Sequence, residues 1–439
     1  MRPRVQTAPL GRWVDPVEAW VALCGGADAA FWLDSGPNAL TGVSYLGVAT
    51  SVTTHFQGRV LDWLRDQSMD ADTDAAPPGF RLGWVGWLGY ELRAETMGVP
   101  VAHRSRYPDA AWMFVDRCLA FDHASREVTL LALDEVKKFR GEVDEALWAA
   151  GGPRTSPPAR PHPTAATWAY ADSEYIRMVE ACQEVIRDGE AYQLCLTTEA
   201  SVTVSPDPFE TYLALRASSP THHGALLVVG EVALLSATPE QFLTVSPEGV
   251  VQSKPIKGTR PRGVTDIDDG RLREDLQASD KERAENIMIV DLMRNDIGRI
   301  ARVGSVEVTS LLAVESYAQV HQLVSTVRGE LAEGLGSIDA IEACFPAGSM
   351  TGAPKYAATV VLESLERRAR GIYSGAFGYV GLDGAVDLAM VIRSIVIDPR
   401  GASVGAGGGI TALSVPEEEL AEAQLKAAAL LSVLGVRAG

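Results

Sequence analysis

The sequence predicts an α+β fold built from large, interleaved, layered β-sheets flanked by helices. The chain has 439 residues, 46% of them hydrophobic, which is enough to bury a large core. Strand-like runs rich in glycine and aromatic residues occur before residue 100, and amphipathic helical runs alternate with strand-like runs after residue 165. We find no internal repeat, and such a mixture of long strands and helices is typical of layered sheets.

A proline-rich segment divides the chain into two parts. Residues 151–165 contain prolines that continue neither a helix nor a sheet, so we predict a linker there. It separates an N-terminal region over residues 1–150 from a second region over residues 166–439. Within the first region, residues 69–78 are acidic and end in two prolines, which predicts a mobile loop.

Local patterns predict individual elements in chain order. Residues 80–91 mix glycine with aromatic and β-branched residues, as expected where strands pack closely around a bend. Apolar residues at helical spacing over 175–186 predict a helix that stops at Gly189. The alternating residues 192–198 predict a strand directly after it.

Composition excludes several classes of protein. The formal charge of −18 argues against a protein that coats nucleic acid. The N-terminus lacks the apolar run of a signal peptide, and the most apolar stretch, Ala225 to Leu235, is too short to span a membrane. We therefore expect a cytoplasmic protein that binds neither nucleic acid nor membrane. The five cysteines form no Cys-x-x-Cys pair and are predicted to be small core residues.

Paired glutamates on two predicted helices indicate a metal site. The first helix begins after the capping residue Ser279, and Glu282 and Glu285 lie three residues apart on one of its faces.

The second helix begins at Pro416 and carries Glu419, Glu422 and Lys426 on a common face. Carboxylates in this number suit Mg²⁺, which binds one or two of them together with water and substrate oxygens. Glutamates at these spacings are also common on solvated helix faces.

Lys257 is a candidate nucleophile because it precedes a turn-forming glycine, Gly258. A lysine attacks only as the neutral amine, which requires desolvation or a neighbouring cation, and Arg260 or Arg262 is a candidate for that cation. A solvated surface lysine is the alternative interpretation.

Two further segments have the composition of anion-binding sites. Residues 345–355 form a loop of small residues that opens a helix near Pro354, where free backbone N–H groups hold a carboxylate. Residues 404–410 are glycine-rich and allow close approach of a ligand. Arg393 ends an apolar run, and its charge requires either an anionic ligand or an internal glutamate.

Six motifs in one order resemble the chorismate-utilising enzymes. This resemblance covers about residues 165–437, and residues 31–35 and 83–91 extend it to the N-terminal region. It implies an anthranilate synthase component I-like fold, chorismate as substrate and Mg²⁺ as cofactor. The motifs are Ser236–Glu240, Pro255–Arg260, Asp291–Asp296, Gly348–Lys355, Ile392–Arg393 and Gly405–Gly409.

Two positions indicate which reaction the resemblance implies. Members that add water have a lysine base where this chain has Gln193, and a glutamine does not deprotonate water, so ammonia is the expected nucleophile. Lys257 resembles the lysine of aminodeoxychorismate synthase component I, which is thought to add to C2 of chorismate before ammonia enters at C4. The implied product is 4-amino-4-deoxychorismate, a precursor of 4-aminobenzoate.

The resemblance also implies roles for individual residues. Glu240 matches the general acid, Glu285 and Glu422 match Mg²⁺ ligands, and Glu282 and Glu419 are their neighbours. The matched substrate-binding positions are Gln193, Gly258, Thr259, Ser349, Tyr373, Arg393, Gly407, Gly409 and Lys426.

One departure from the family pattern bears on the product. Relatives that form anthranilate have a histidine just before Leu-Val-Ser, where this chain has Gln322, with His321 one place earlier. Loss of pyruvate is therefore not expected, unless the shifted His321 reaches the ring. His321 as an ordinary core residue is also compatible with the sequence.

The expected partner is a glutamine amidotransferase subunit that supplies ammonia, because the sequence has no Gly-x-Cys-x-Gly nucleophile motif. Three alternatives remain open at this point: anthranilate synthase component I, a 2-amino-2-deoxyisochorismate synthase, and a regulatory subunit that binds chorismate without catalysis.

Overall fold

The computed structural model describes residues 3–67, 69, 71–151, 165–317 and 320–436. These residues contain strands, helices and two 3₁₀ turns, Tyr90–Leu92 and Gly348–Met350. The strands are β1 Gln6–Pro9, β2 Ala29–Asp34, β3 Val43–Val48, β4 Ser51–Thr53, β5 Gly83–Leu88, β6 Ala110–Val115, β7 Arg117–Asp122, β8 Glu127–Ala132, β9 Thr167–Trp168, β10 Gln193–Val202, β11 His223–Val229, β12 Val232–Thr238, β13 Gln241–Val245, β14 Val250–Ser253, β15 Ile256–Pro261, β16 Glu307–Ser316, β17 Val320–Glu330, β18 Gly352–Ala353, β19 Ala376–Gly381, β20 Val386–Met390, β21 Ser394–Asp398 and β22 Gly401–Ile410. The helices are α1 Pro16–Leu23, α2 Val60–Asp66, α3 Arg93–Met97, α4 Val136–Ala149, α5 Asp172–Arg187, α6 Pro208–Ser218, α7 Asp266–Ala278, α8 Asp280–Gly298, α9 Ser337–Cys344, α10 Lys355–Glu366 and α11 Pro416–Val433.

The strands form two large antiparallel sheets. The first has the order β1-β8-β7-β3-β2-β11-β12-β21-β22-β10-β18, with β9 beside β10. The second has the order β15-β17-β14-β13-β20-β19-β5-β6-β4, with β16 beside β17. Each sheet therefore contains strands from both sides of the predicted linker. Residues 152–164 of that linker lie outside the described residues, and the division at 151–165 stays a prediction.

The two sheets pack face to face because alternate side chains of a strand point to opposite faces. On β2, Phe31 faces the core that is shared with the second sheet, next to Leu227 of the paired strand β11. Trp32 faces the other way and packs with Trp20 of α1. The second sheet has a corresponding outer layer, in which Ile289 of α8 is buried. The predicted layered α+β fold is thereby confirmed.

Several local predictions agree with the structure. Helix α5 ends with Asp188 as its C-cap residue, and Pro416 occupies the first turn of α11. Helix α8 begins at Asp280 after Ser279, whose hydroxyl accepts a hydrogen bond from the backbone of Glu282. The five cysteines are buried and unpaired among the described residues.

Two segments that the sequence singled out, the acidic loop and the most apolar stretch, have defined positions in the fold. The acidic loop is anchored to the protein, since Ala71 and Ala76 are buried and Asp72 bridges to Arg4. The apolar stretch Ala225 to Leu235 forms part of the β11–β12 hairpin. Within the part of the chain that the structure describes, no helix combines the length and the apolarity that crossing a membrane requires.

Candidate active site

A cavity of about 400 Å³ brings the predicted site residues together. It lies where the glycine-rich β22 of the first sheet approaches β15 of the second, and where α8 and α11 meet. Every predicted site residue except Gln193 lines it. Those residues are Glu240, Lys257, Gly258, Thr259, Glu282, Glu285, Ser349, Tyr373, Arg393, Gly407, Gly409, Glu419, Glu422 and Lys426.

An irregularity in β15 lets Lys257 face the cavity. The register with β17 shifts between Ile256 and Thr259, as at a β-bulge, which redirects the side chains of the residues between them. Gly258 adopts a φ of 80°, and a Cβ there would lie 2.7 Å from Leu276 and 2.9 Å from Glu282. A glycine after Lys257 is therefore favoured for two reasons: the positive φ of the backbone and the lack of space for a Cβ atom.

Asn286 holds the strands of Lys257 against α8. Its buried amide donates to the carbonyls of Pro255 and Leu323, and its oxygen accepts from Ser325. These bonds fix β15 and β17 on the helix that carries the neighbouring residue Glu285. The Nζ atom of Lys257 consequently lies 3.9 Å from the Glu285 carboxylate.

The arginines proposed as neighbours of Lys257 have other partners. Arg260 pairs with Asp275 of α7 at 2.7 Å, and Arg262 pairs with Asp269 of the same helix at 2.7 Å. Neither guanidinium lines the cavity. Neither arginine therefore provides the neighbouring cation predicted for Lys257, because an aspartate pairs with each guanidinium.

Glu240 lies in the loop between β12 and β13 and is only 8% exposed. Burial raises the pKa of its carboxyl above the ordinary value, although Lys257 and a hydrogen bond with Ser349 partly oppose this. A carboxyl with a raised pKa retains its proton toward neutral pH. The group is therefore suited to protonating a leaving oxygen in the cavity.

Four glutamates form what we call the acidic wall: Glu282 and Glu285 of α8, and Glu419 and Glu422 of α11. Burial raises the pKa of Glu285 and of Glu419, and in each case a neighbouring glutamate of the wall adds to the increase. Burial acts on Glu422 in the same direction, but Lys426, Lys281 and Lys257 together outweigh it and lower the pKa of Glu422. The wall thus concentrates negative charge that favours a cation.

The geometry of the acidic wall is open. Among the described residues, no three or more His, Cys, Asp or Glu side chains converge as a complete metal cage. Hard oxygen donors nevertheless fit Mg²⁺, which takes one or two protein carboxylates and completes its shell with water or substrate oxygens. The donor set is compatible with Mg²⁺ and leaves room for an oxygen-bearing ligand.

Arg393 is a cation that lines the cavity, where its side chain is exposed. It follows β20 with a φ of 51°, and partial desolvation lowers the pKa of its guanidinium against the opposing effects of Tyr373 and Glu422. Within the described part of the chain, no carboxylate forms an ion pair with it, so its charge acts on Glu422 only from a distance. A partly desolvated guanidinium without an ion-pair partner favours an anionic ligand.

The glycines of β22 allow close packing around the cavity. A Cβ on Gly405 would lie 2.1 Å from the ring of Tyr373, and one on Gly409 would lie 2.1 Å from Nε2 of Gln193. Gln193 is buried against Gly409, outside the set of residues that line the cavity. Its Oε1 atom has no hydrogen-bond partner among the described residues.

Gln322 and His321 point in opposite directions because they are consecutive on β17. Gln322 lines the cavity beside Thr259, its partner in the register. The His321 ring instead bonds to Asp269 at 3.0 Å and to Ser316 at 2.8 Å. His321 is therefore a core residue in a polar cluster and does not line the cavity.

Three residues of the site were not predicted from the sequence. Asn286 positions the lysine strand, whereas Cys195 and Lys281 line the cavity itself. Cys195 follows Gln193 by two residues on β10, so strand alternation could have indicated it. Lys281 lies in the first turn of α8, where the positive charge of a lysine opposes the helix dipole. This unfavourable position could have indicated from the sequence that Lys281 has another role.

Comparison with known proteins identifies the family of this chain. The model of the chorismate binding enzyme family matches residues 28–432. Aminodeoxychorismate synthase of Streptomyces pristinaespiralis is 39% identical over 96% of this chain and 64% of its own length. The chain thus spans less than two thirds of that relative. Anthranilate synthase component 1 of Streptomyces coelicolor is 36% identical over 96% of this chain and 86% of its own length.

A solved structure has the same architecture. Anthranilate synthase component I from Streptococcus pneumoniae superposes with a TM-score of 0.75 and 27% identity, over 97% of this chain and 92% of that chain. The family match begins at residue 28, so it includes much of the N-terminal region as well as the cavity. The chain belongs to the chorismate binding enzyme family.

Proposed function

We propose that this chain is the chorismate-aminating component of an aminodeoxychorismate synthase. It replaces the C4 hydroxyl of chorismate by the nitrogen of ammonia and releases water, giving 4-amino-4-deoxychorismate. The aminodeoxychorismate synthase relative supports this reaction, although the chain spans only 64% of its length.

The proposal rests on the observation that Lys257 and Glu240 lie in the same cavity. Both line one cavity, and the lysine acts electrostatically on the buried carboxyl. A nucleophile and an acid beside one substrate suit a displacement in which the leaving oxygen needs a proton. A regulatory subunit that only binds chorismate would require neither group.

The proposed chemistry has two displacements. The neutral amine of Lys257 forms a bond to C2, the ring double bonds shift, and the C4 oxygen leaves as water with the proton of Glu240. Ammonia then bonds to C4, the double bonds return, and the bond from C2 to the lysine nitrogen breaks. The proton that ammonia loses restores the carboxyl of Glu240, so atoms and charges balance.

Other residues of the cavity bind and orient the dianionic substrate. Arg393 and Tyr373 are placed to hold one carboxylate, with backbone N–H groups near Gly407 and Gly409 as further donors. Mg²⁺, held by Glu285 and Glu422, would supply positive charge for the second carboxylate. Ser349 orients Glu240 through their hydrogen bond.

Ammonia is proposed to come from a glutamine amidotransferase subunit. The resemblance places Gln193 at the sequence position where water-adding members have a lysine base, and a carboxamide does not take up a proton at neutral pH. Ammonia is already a nucleophile, so the site needs no base for it.

The second candidate is amination at C2, as in an anthranilate synthase component I or a 2-amino-2-deoxyisochorismate synthase. The Streptomyces coelicolor relative favours it, since this chain spans 86% of that protein. Gln322 in the cavity argues against the anthranilate reaction, because it leaves no histidine at the position linked to pyruvate loss.

Product analysis by mass spectrometry and fluorescence tests the proposal. The purified chain with chorismate, Mg²⁺ and ammonium salt should form 4-amino-4-deoxychorismate, which becomes 4-aminobenzoate only after a lyase is added. Lys257→Ala should lose this amination while it still binds chorismate. Direct anthranilate fluorescence would support the second candidate, and full amination by Lys257→Ala would contradict the covalent step.

A further inference from the structure

Lys281 is a cation of the cavity that neither the sequence motifs nor the proposed reaction assigns a role. It is the second residue of α8 and lines the cavity with the acidic wall. Its ammonium interacts with all four glutamates of the wall, which together raise its pKa against the opposing effect of burial. Among the described residues, however, it forms no ion pair with any of them.

The four carboxylates have nearer partners. Glu285 pairs with Lys257 at 3.9 Å, and Glu282 pairs with Arg260 at 3.8 Å.

On the other helix, Glu422 pairs with Lys426 at 2.7 Å, and Glu419 accepts a hydrogen bond from Ser414 at 2.7 Å. Lys281 is therefore close to every carboxylate of the wall and bound to none. Lys281 is exposed as well as cavity-lining, so its long side chain is free to move between cavity and solvent.

The local chemistry of the helix does not account for a lysine here. The first turn of an α-helix carries partial positive charge and favours acidic residues, as Asp280 and Glu282 illustrate. A positive side chain in that turn costs stability unless other charges compensate. The acidic wall supplies that compensation, which relates Lys281 to the cavity and not to the helix.

We propose that Lys281 is a tethered counter-cation that sets the affinity of the acidic wall for divalent metal. Without metal, its ammonium offsets part of the wall's negative charge. A divalent cation on the wall repels that ammonium, and the side chain turns toward solvent. This inference rests on the metal site of the proposed function, but it concerns a residue outside the proposed ligands.

Calorimetric titration with Mg²⁺, and electron paramagnetic resonance with Mn²⁺, test the proposal. Both are done on the full chain, with and without chorismate, in the absence of ammonia. Removing the positive charge that acts on all four carboxylates of the wall should tighten divalent-metal binding about tenfold in Lys281→Met. The gain should shrink at high ionic strength, because salt screens charges at the exposed rim.

Two variants serve as controls. Lys281→Arg keeps the charge and should bind metal as the wild type does. Arg283→Met removes one positive charge from the same helix, but Arg283 donates to the carbonyl of Gln277 and does not line the cavity. It should leave the metal affinity within about twofold of the wild type, because its guanidinium does not face the cavity and salt screens its charge.

The other outcomes assign the residue differently. Unchanged metal affinity in Lys281→Met, or an equal gain in Arg283→Met, would overturn the counter-cation role. Weaker chorismate binding with unchanged metal affinity would make Lys281 a substrate ligand and also overturn it. If the wild type itself bound neither Mg²⁺ nor Mn²⁺, the metal site of the proposed function would fall first.

Discussion

Two arginines near the cavity, the buried Arg370 and the cavity-exposed Arg393, differ in how their charge is satisfied. Arg370 donates two hydrogen bonds to Glu366, at 2.7 and 2.8 Å, and others to the carbonyls of Met350 and Cys195. Arg393 has no ion-pair partner in the described part of the chain, although partial desolvation disfavours its charge. Arg370 therefore stabilises the fold, whereas Arg393 gains a counter-ion only when an anionic ligand binds.

Two lysines repeat this difference. Lys355 donates to the buried Asp296 and, at 3.0 Å, to the carbonyl of Cys344, which fixes the start of α10. Lys257 reaches its nearest carboxylate, Glu285, at only 3.9 Å. A buried charge with full hydrogen bonding therefore indicates a structural role, whereas a cavity-lining charge with a distant partner or none indicates a ligand site.

The largest expected effect comes from removing the satisfied arginine. Arg370→Met leaves the Glu366 carboxylate buried without its cation, and breaking a buried pair in this way costs about 3–5 kcal/mol of unfolding free energy. Urea denaturation measures this loss. The control is Arg367→Met, because Arg367 pairs with Glu174 at an exposed position and should cost less than about 1 kcal/mol.

Equal losses in these two variants would contradict the comparison, since they would mean that the buried network around Arg370 adds nothing over a surface ion pair. Glu366 also accepts bonds from the backbone and hydroxyl of Thr197. These bonds anchor the carboxylate whether or not the arginine is present, so it cannot escape to water.

The second-largest expected effect is on the binding of chorismate and not on the stability of the protein. Arg393→Met should weaken chorismate binding about 100-fold, the loss expected for charge-assisted hydrogen bonds. Its unfolding free energy should stay equal or rise, because no protein partner loses a counter-ion. Calorimetric titration with chorismate in the absence of ammonia, together with urea denaturation, measures both quantities.

Arg393→Lys is the matched variant for this test. It keeps the charge but not the planar fork that binds a carboxylate through two bonds, so its affinity should lie between those of the wild type and Arg393→Met. A loss of stability as large as that of Arg370→Met would show that Arg393 has an internal role after all.

The difference between the two arginines explains what the sequence could and could not predict. The motifs identified Arg393, Lys257 and the acidic wall because each residue lies in a recognisable local pattern. Whether Arg393 meets a glutamate depends on side chains from distant strands and helices, so local patterns left both alternatives open. The same limit applies to Arg260, whose partner Asp275 comes from a helix that the sequence analysis did not predict.

Predicting which way a strand side chain points succeeded for some residues and failed for others, for the same physical reason. Alternation along β17 separates His321 from Gln322 and required only the knowledge that this segment is a strand. The position of Gln193 behind Gly409 depends on the register between β10 and β22, which nonlocal pairing sets. Lys257 faces the cavity through a bulge, and its register likewise follows from pairing with β17.

The smallest expected effect concerns the pH dependence of Glu240. This carboxyl resembles Arg393 in lining the cavity with few partners, whereas the buried Glu366 accepts hydrogen bonds from Arg370 and Thr197. Because burial raises the pKa of Glu240, the folded protein keeps this proton at pH values where the unfolded chain has lost it. Stability therefore falls as pH rises from about 4.5, the ordinary value, to the raised pKa, and is constant above it.

Glu240→Gln removes that titration and should become more stable relative to the wild type over the same pH interval, by about 1.4 kcal/mol for each unit of pKa increase. Urea denaturation from pH 4 to pH 8 measures the difference, and Glu145→Gln, at an exposed carboxyl, should show none. The amination rate of the wild type should fall as pH rises through the raised pKa, because the acid is then ionised. A stability difference independent of pH would mean that Glu240 is ionised in the folded protein, and its role as proton donor would have to be abandoned.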